Sequence, residues 1–462
     1  MSSPRAALIG LDCLEPSLAF GSLAGHMPNL SALRARGRWG RLTSCIPPIT
    51  VPAWMCMATG RDPGQLGIYG FRNRADHSYG PLATAEAGMV QAPRLWELAS
   101  AAGLSSVVLG WPLTYPAAPL KGAMVSGPMT PVGARDAVWP ASLGPRLTRW
   151  AKGEYLFDVK DFRAAPKDDL LAQLETMAIR RFGVAHGLMD LYEPELLMMV
   201  EMSPDRLHHA FWGQDEVLAA HYALLDQLVG SLVTSLPSDT LVLVVSDHGA
   251  RSLEGGLAVN QWLRQQGYLK LKQPPAEPRP LSADMVDWPR TLAWAEGGYY
   301  SRVYLNIAGR EPQGAVPASK AEALAAELAG RLEAMAGPGG RPLGNRVFRP
   351  QDIYLQVKRV APDLILHPGD LAWRALATVW PKAEPIFTPG NDTGPDGANH
   401  AQQGVLVAGL AGERPLPQAG QEVAGASLYD VFPSLAAWLG LESGGSGPGA
   451  AWPWLPTAAG SA

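Results

Sequence analysis

The hydrophobic positions of the chain fall into short, nearly continuous runs of Val, Leu, Ile and Ala. Such runs are typical of parallel strands that are buried on both faces of a sheet, because a half-exposed strand would alternate with polar residues. The runs recur with helix-like stretches between them, which indicates an α/β fold. We predict strands at 6–12, 105–111, 123–127, 195–203, 239–249, 362–368 and 404–411.

Other segments carry apolar residues at every third or fourth position, the period of an amphipathic helix. The longest is 215–236, and 429–440 has the pattern of a closing helix. The sequence of segment 51–60 also predicts a helix, with Pro52 in its first turn and Gly60 at its C-terminal end. Strands and helices therefore alternate along most of the chain.

Residues 270–345 break this alternation with a proline-rich entry and an alanine-rich helix near 319–337. We interpret 270–345 as an inserted cap or substrate subdomain, and 1–269 together with 346–442 as the catalytic core. Segment 388–400, TPGNDTGPDGANH, has the composition of a loop. The remaining residues, 443–462, form a tail rich in Gly, Pro and Ala.

The charge balance is slightly acidic, with 38 Lys and Arg against 42 Asp and Glu, a net charge of −4. Nucleic acid is therefore not expected as a partner, because non-specific binding to it needs a basic surface. Cys13, Cys45 and Cys56 are odd in number and lack CxxC spacing, which fits neither a disulfide framework nor a thiolate zinc site. With acidic residues interrupting its first apolar run, the N-terminus does not resemble a signal peptide. We expect a cytoplasmic protein without a membrane segment; the oligomeric state is left open.

Acidic residues lie at or just after the carboxyl ends of three of the predicted strands: Asp12, Asp205 and Asp247, the last beside His248. Side chains beyond the carboxyl ends of parallel strands converge at one edge of the sheet. Converging carboxylates repel one another, so we expect divalent cations between them, and the accompanying histidines favour zinc or manganese over magnesium. His400, in a loop before the last strand, is a further candidate ligand. The alternative for any single Asp–His pair is a helix cap or a surface pair.

The segment SPDRLHH offers two histidines. His209 is four residues after Asp205, so both lie on one face if a helix forms there. His208 is the second choice.

Thr50 is the candidate nucleophile, at the start of the predicted helix 51–60. A helix N-terminus offers free N–H groups to phosphoryl oxygens. A threonine in this position is equally consistent with a simple N-cap.

Together these segments resemble the alkaline phosphatase superfamily, in particular the type I phosphodiesterase/nucleotide pyrophosphatase group and the bacterial predicted phosphohydrolase/phosphomutase branch. The resemblance spans about residues 6–440, in the family's order. It is carried by GLDCLEP, PPITVPAWMCMATGRDPGQLGIYGF, WPLTYPAAPLKGAMVSGPMTP, SPDRLHHAFW, VVSDHG, YLNIAGREPQG, APDLIL and NHAQQGVL.

The resemblance implies an alkaline-phosphatase-like, mostly parallel central sheet flanked by helices, with an inserted cap. It also implies two divalent metal ions, most simply zinc, with Thr50 as the nucleophile that forms a phosphothreonine-type intermediate. One ion would be held by Asp12, Thr50, Asp247 and His248, and the other by Asp205, His209 and His400.

The substrate is expected to be a small phosphoric ester, with diesters or pyrophosphates weakly preferred. Ala53 stands where the nucleotide pyrophosphatases carry an asparagine, which removes the basis for nucleotide specificity, and Trp54 replaces the arginine that a sulfatase would need. The alternatives are a phosphomonoesterase, a phosphomutase or phosphotransferase on the same site, and a catalytically silent binding module.

Candidate substrate-binding residues are Arg72 and Arg74, shortly after the nucleophile helix, and Trp294, Tyr299 and Tyr300 in the insertion. The plainer alternatives are a solvated turn for the arginines and packing of the cap for the aromatic residues.

Overall fold

The computed structural model describes residues 4–160, 162–382, 385–391, 396–442, 444–445 and 447–456. The chain divides into two compact units. The first comprises Met1–Phe71, Ala85–Ala250 and Ala401–Ala462, and the second comprises Arg72–Thr84 and Arg251–His400. The segment 270–345 that the sequence set apart lies inside the second unit, which extends beyond it on both sides.

An eight-stranded sheet forms the centre of the first unit. Ala6–Leu11 lies between Leu196–Glu201 and Leu241–Val245 and is parallel to both. Across the sheet the strands run in the order Arg38–Thr43, Gln403–Leu410, Leu241–Val245, Ala6–Leu11, Leu196–Glu201, Ser106–Trp111, Gly122–Ser126 and Val138–Trp139. The predicted α/β fold with a mostly parallel central sheet is confirmed.

The five inner strands from Leu241–Val245 to Gly122–Ser126 are parallel. The middle strands are buried along their whole length, as their unbroken apolar runs predict. Gln403–Leu410 was expected to join them in parallel, but it pairs antiparallel with Leu241–Val245. The edge strand Arg38–Thr43 was not predicted, because its residues alternate between buried and more exposed positions.

Helices flank this sheet, as expected for an α/β fold. Asp215–Ser235 matches the predicted 215–236, and the 26-residue helix Lys167–Tyr192 precedes it in the chain. The α-helices of the first unit are Pro28–Arg36, Thr50–Thr59, Pro63–Leu66, Leu95–Ala101, Gly144–Trp150, Lys167–Tyr192, Ser203–Phe211, Asp215–Ser235 and Val431–Leu439.

Helix Asp215–Ser235 is long and apolar enough, by length and composition, to pass the test for a membrane span among the described residues. Its Tyr222, Leu225 and Leu232 are buried in the core of the first unit. Core helices pass the same test, so this is weak evidence for a membrane.

The second unit has smaller sheets and its own core. A four-stranded antiparallel sheet has the order Ala293–Glu296, Ser301–Leu305, Leu364–His367 and Arg346–Phe348. Leu364–His367 is thus a strand, as predicted, but it does not belong to the central sheet. Other elements are the strands Arg72–Asn73, Ala83–Thr84, Gly255–Ala258, Arg279–Pro280, Trp373–Leu376, Thr378–Val379 and Phe387–Thr388, and the helices Val259–Gln265, Ala318–Glu333 and Pro350–Ile353.

Two predictions fall partly outside the described residues. The predicted loop 388–400 contains 392–395, and the tail 443–462 contains Ser443, Ser446 and 457–462, for which no placement is described. In the described part of the tail, Trp452 and Leu455 are buried against the core of the first unit.

Candidate metal and nucleophile site

Three acidic side chains lie where neighbouring parallel strands of the central sheet end. Asp12 directly follows Ala6–Leu11, and Asp247 follows Leu241–Val245 by two residues. Asp205 lies in the first turn of helix Ser203–Phe211, after strand Leu196–Glu201. The strands are adjacent and parallel, so their carboxyl ends place these residues at the same edge of the sheet.

Asp12, Asp247 and His248 form a buried cluster whose ligand atoms lie within 4.8 Å of one another. The His248 Nε2 atom is 3.2 Å from Asp247 Oδ2 and 3.9 Å from Asp12 Oδ1. An Asp205 carboxylate oxygen also lies within 4.8 Å of a His248 ring nitrogen. The spacing suits a divalent cation with mixed oxygen and nitrogen ligands.

The carboxylates of this cluster are held in an unfavourable environment. Asp12 Oδ1 and Asp247 Oδ2 are buried and accept no hydrogen bond from the described residues. Burial, together with repulsion from Asp247 and Asp205, raises the pKa of Asp12 well above its ordinary value. Burial also raises the pKa of Asp247, and the nearby Asp205 adds to the rise. A bound cation would remove both penalties, so these residues fit a metal site.

The two ring nitrogens of His248 have different neighbours. Its Nδ1 is 3.1 Å from the Gly249 carbonyl oxygen, which can only accept a hydrogen bond, so this contact is a hydrogen bond when Nδ1 carries a proton. Its Nε2 faces Asp12, Asp247 and the Thr50 hydroxyl, and it can bind a metal ion there when it carries no proton. A metal-ligating histidine is normally oriented in this way, by a hydrogen bond from its other nitrogen.

Thr50 is the first residue of helix Thr50–Thr59, and Ile49 occupies the N-cap position. The Thr50 hydroxyl therefore does not cap the helix; its Oγ1 lies 3.5 Å from His248 Nε2. The side chain is buried. Pro52 has no N–H and the Ala53 N–H donates to the Ile49 carbonyl at 3.0 Å, so Thr50 and Val51 supply the N–H groups that this helix start can offer to a ligand. The arrangement suits the binding of phosphoryl oxygens, and the nucleophile role of Thr50 stays a prediction.

Trp54 also contacts the cluster, which the sequence analysis missed. Its indole Nε1 donates a 2.6 Å hydrogen bond to Asp12 Oδ2. The ring packs edge-on against Trp111, and a side chain at Gly10 would collide with it. Trp54 is four residues after Thr50, so the helical period that placed Thr50 could also have placed Trp54 on the same face.

Asp205 and His209 share one face of helix Ser203–Phe211, with His209 Nε2 3.4 Å from Asp205 Oδ1. The helix begins at Ser203, so Asp205 lies within its first turn. Arg206 pairs with Asp205 Oδ2 and also with Asp158, to which its Nη2 donates at 2.7 Å. Arg206 thus occupies one Asp205 oxygen and leaves the other facing His209.

His208 faces a different environment. Its Nε2 lies 2.9 Å from the Tyr222 hydroxyl, and burial lowers its pKa to about 3. It is therefore a neutral histidine engaged in the protein interior, and the helical geometry favours His209 as the ligand of the pair.

The chain is similar to known proteins over nearly its whole length. The model of the family "Type I phosphodiesterase / nucleotide pyrophosphatase" matches residues 6–399. The chain belongs to this family. It is a phosphoric ester hydrolase of the alkaline phosphatase superfamily.

Solved structures of phosphonoacetate hydrolase from Sinorhizobium meliloti 1021 have the same fold. The complex with phosphonoformate is 16% identical, with a TM-score of 0.60. The complex with phosphonoacetate is 17% identical, with a TM-score of 0.61. Each comparison covers 93% of this chain and 94% of the other. Comparison with curated proteins gives no match.

The substrate-binding candidates of this phosphodiesterase-family chain belong to its second unit and differ in exposure. Arg74 is buried, 3.2 Å from Glu311, and its guanidinium lies over the rings of Trp294 and Tyr304. Trp294 is only 6% exposed and packs in the core of that unit. Arg72 is exposed.

The neighbouring tyrosines also differ from each other. Tyr300 is buried, while Tyr299 is partly exposed and stacks on His400 with ring centroids 4.2 Å apart. His400 is the last residue of the second unit and is itself buried. Its backbone N–H donates to the Asn399 side chain at 2.9 Å. The ligand role of His400 stays a prediction.

Proposed function

We propose that the chain hydrolyses phosphoric esters, with diesters or pyrophosphates preferred over monoesters, through a covalent intermediate on Thr50. The observation that carries the proposal is the Thr50 hydroxyl at a helix N-terminus, 3.5 Å from His248 in a cluster of buried carboxylates. The family membership supports the reaction class.

Asp12, Asp247, His248 and Thr50 would hold one divalent cation, and Asp205, His209 and His400 a second. The mixed carboxylate and imidazole donors favour zinc, with manganese as the alternative. Such ions neutralise charge on phosphoryl oxygens and lower the pKa of a coordinated hydroxyl.

The protein's own groups supply the rest of the chemistry. Thr50 Oγ1 loses its proton to solvent and bonds to phosphorus while the bond from phosphorus to the leaving-group oxygen breaks. Free N–H groups at the start of Thr50–Thr59 donate to the phosphoryl oxygens. In the second step water displaces Thr50, and the hydroxyl regains a proton. A diester leaves its second ester group on the intermediate.

The decisive experiment measures turnover of para-nitrophenyl mono- and diesters by metal-stripped protein reloaded with zinc, manganese or magnesium. Phosphonoacetate belongs in the same panel, because structures of a phosphonoacetate hydrolase share the fold. A higher kcat/KM for the diester supports the proposal. A higher value for the monoester identifies a phosphomonoesterase, and phosphoryl transfer to an added alcohol without hydrolysis identifies a transferase or mutase. Failure of every substrate with every metal would overturn the proposed substrate preference and mechanism.

We further propose a cytoplasmic location. The support is that Cys13, Cys45 and Cys56 are all free thiols, as expected in a reducing compartment.

A further inference from the structure

Glu15, three residues after Asp12, has a buried carboxylate with a separate backbone partner for each oxygen. Its Oε1 accepts hydrogen bonds from the Ser17 N–H at 3.0 Å and the Ser17 hydroxyl at 2.9 Å. Its Oε2 accepts from the Ala250 N–H at 3.1 Å. The last contact joins segments 235 residues apart in sequence.

Further hydrogen bonds join the segment after Asp12 to the segment around Asp247. The Cys13 N–H donates to Asp247 Oδ1 at 3.2 Å, and the Cys13 thiol donates to the Gly249 carbonyl at 3.3 Å. The Ser246 hydroxyl donates to the Leu14 carbonyl at 2.9 Å. The loop that carries Asp12 is thus bonded repeatedly to the loop that carries the other two members of the cluster.

One peptide group transmits the effect of Glu15 to the cluster. The carbonyl of Gly249 and the N–H of Ala250 belong to a single planar unit, so they point in opposite directions and turn together. Glu15 holds the N–H end of this unit, and the carbonyl end accepts the hydrogen bond from His248 Nδ1. A Cβ atom at Gly249 would collide with Glu15 Oε2, so the carboxylate sits directly against this backbone.

We propose that Glu15 is a positioning residue for His248: by fixing the peptide between Gly249 and Ala250, it holds the imidazole with Nε2 toward Asp12 and Asp247. This inference rests on the proposed function, in which His248 binds a metal ion. Hydrogen-bond partners that orient a metal ligand typically contribute 10–100-fold to metal affinity. Glu15 acts one step further out, through a backbone carbonyl.

The test compares Glu15→Ala and Glu15→Gln with wild type in the full chain, using zinc titration of metal-stripped protein. Glu15→Ala is expected to weaken one of the two zinc affinities about 10-fold, the lower end of the range for a direct partner of a metal ligand, and to leave the other unchanged. Glu15→Gln keeps one accepting oxygen, so a smaller loss is expected, and it serves as the variant of choice if the alanine variant folds poorly.

Glu195→Ala is the matched control. Glu195 Oε2 accepts a 2.7 Å hydrogen bond from the Ser105 N–H. The two residues directly precede the strands Leu196–Glu201 and Ser106–Trp111, at the amino end of each strand. Like Glu15→Ala, this variant loses a carboxylate that accepts a backbone hydrogen bond. Both of its zinc affinities should nevertheless match wild type.

The second readout is the tautomer of His248 in the metal-free protein, that is, whether Nδ1 carries a proton, from nitrogen chemical shifts of histidine-labelled samples. Wild type should keep the proton on Nδ1, with or without a second proton on Nε2, whereas Glu15→Ala should lose the Nδ1 proton in part of the molecules. If Glu15→Ala lowers only the melting temperature while zinc affinity and the His248 tautomer match wild type, Glu15 contributes to stability alone and the inference is wrong. If wild type itself binds no zinc, the proposed function fails, and the tautomer measurement still decides the role of Glu15.

Discussion

Asp12 and Asp247 lie in an environment that is unfavourable for a carboxylate without a ligand. Each has a buried oxygen that accepts no hydrogen bond from the described part of the chain, and burial raises the pKa of both. Folding therefore concentrates acidic groups that water would otherwise solvate. Such a cost is typical of functional sites, where stability is lost in exchange for binding.

Replacing Asp247 with asparagine should stabilise the metal-free protein at neutral pH. A carboxyl group with a raised folded-state pKa favours the folded state only while protonated, so stability falls as pH rises from the unfolded value, about 4, through the folded value. The neutral amide of the Asp247→Asn variant would avoid this loss and still accept the hydrogen bond from Cys13. We expect a gain on the order of 1 kcal/mol at pH 7, shrinking toward pH 4, in denaturant unfolding of metal-stripped samples.

The same variant should gain less stability than wild type from added zinc, because a neutral amide is a poorer ligand. A metal-free Asp247→Asn protein that is less stable than wild type at pH 7 would contradict the expected cost of burying the Asp247 charge.

Thr50→Ala should reduce turnover of the best para-nitrophenyl ester by at least about 1000-fold while retaining the fold. Thr50 is the proposed nucleophile and one of four proposed ligands of its metal ion, so most of the zinc should stay bound. Losses of this size are usual when a nucleophile is removed. Thr50→Ser, which keeps the hydroxyl, is the control and should retain measurable activity. An alanine variant as active as wild type would mean that water attacks phosphorus directly.

At the scale of elements, helix Ser203–Phe211 illustrates what a sequence period can predict. The four-residue spacing placed Asp205 and His209 on one face, and the structure has their side chains 3.4 Å apart. The spacing could not predict Arg206 bridging Asp205 and Asp158, because Asp158 comes from a loop 48 residues away from Arg206. Local periodicity thus gives the face of a helix but not what packs against it.

His209→Ala should remove about one equivalent of bound zinc, whereas His208→Ala should remove none. His208 bonds to Tyr222 in the interior, so its loss leaves a buried hydroxyl without that partner and should cost about 1–3 kcal/mol of stability instead. Metal analysis and denaturant unfolding of both variants separate the two effects. Loss of zinc from the His208 variant alone would reverse the ligand assignment.

Other elements show where sequence patterns stop being informative. Apolar runs indicated the inner strands, because burial on both faces leaves no polar alternation. The edge strand Arg38–Thr43 lacks that signature. Trp54 donates to Asp12 across 42 residues and Glu15 accepts from Ala250 across 235, and no local pattern encodes such contacts. The acidic residues at the strand ends could therefore be predicted from the sequence, but the contacts of Trp54 and Glu15 near them could not.

At the scale of the whole molecule, the second unit is where the sequence was least informative. Its apolar strand Leu364–His367 has the same composition as a central-sheet strand, so composition alone could not assign it to the correct sheet. Arg72–Thr84 belongs to this unit although it is far in sequence from Arg251–His400. Because the second unit combines two separate segments, a change in the strand and helix pattern along the sequence cannot give its boundaries.

The aromatic residues of this unit should divide into a structural and a functional group when they are replaced. Trp294 packs between Trp288 and Tyr304 in the core, so Trp294→Ala should destabilise the unit by about 3–5 kcal/mol. Trp294→Phe is the milder variant for kinetics. Tyr299 is partly exposed and stacks on His400. Substrate discrimination must come from groups beyond the phosphoryl oxygens, which all phosphoric esters share.

We therefore expect Tyr299→Ala to change the ratio of kcat/KM for a bulky aryl diester and a small monoester by about 10-fold or more, the scale of a lost aromatic contact. Trp294→Phe should leave that ratio unchanged, and so should Tyr300→Phe, because Tyr300 is buried. Zinc content must be measured alongside, since Tyr299 also contacts a predicted ligand. A changed ratio at full zinc content identifies Tyr299 as a specificity residue. An unchanged ratio, or one that changes in the Trp294 variant instead, would contradict a role of Tyr299 in recognising the leaving group. Residues of the first unit would then be the next candidates for that role.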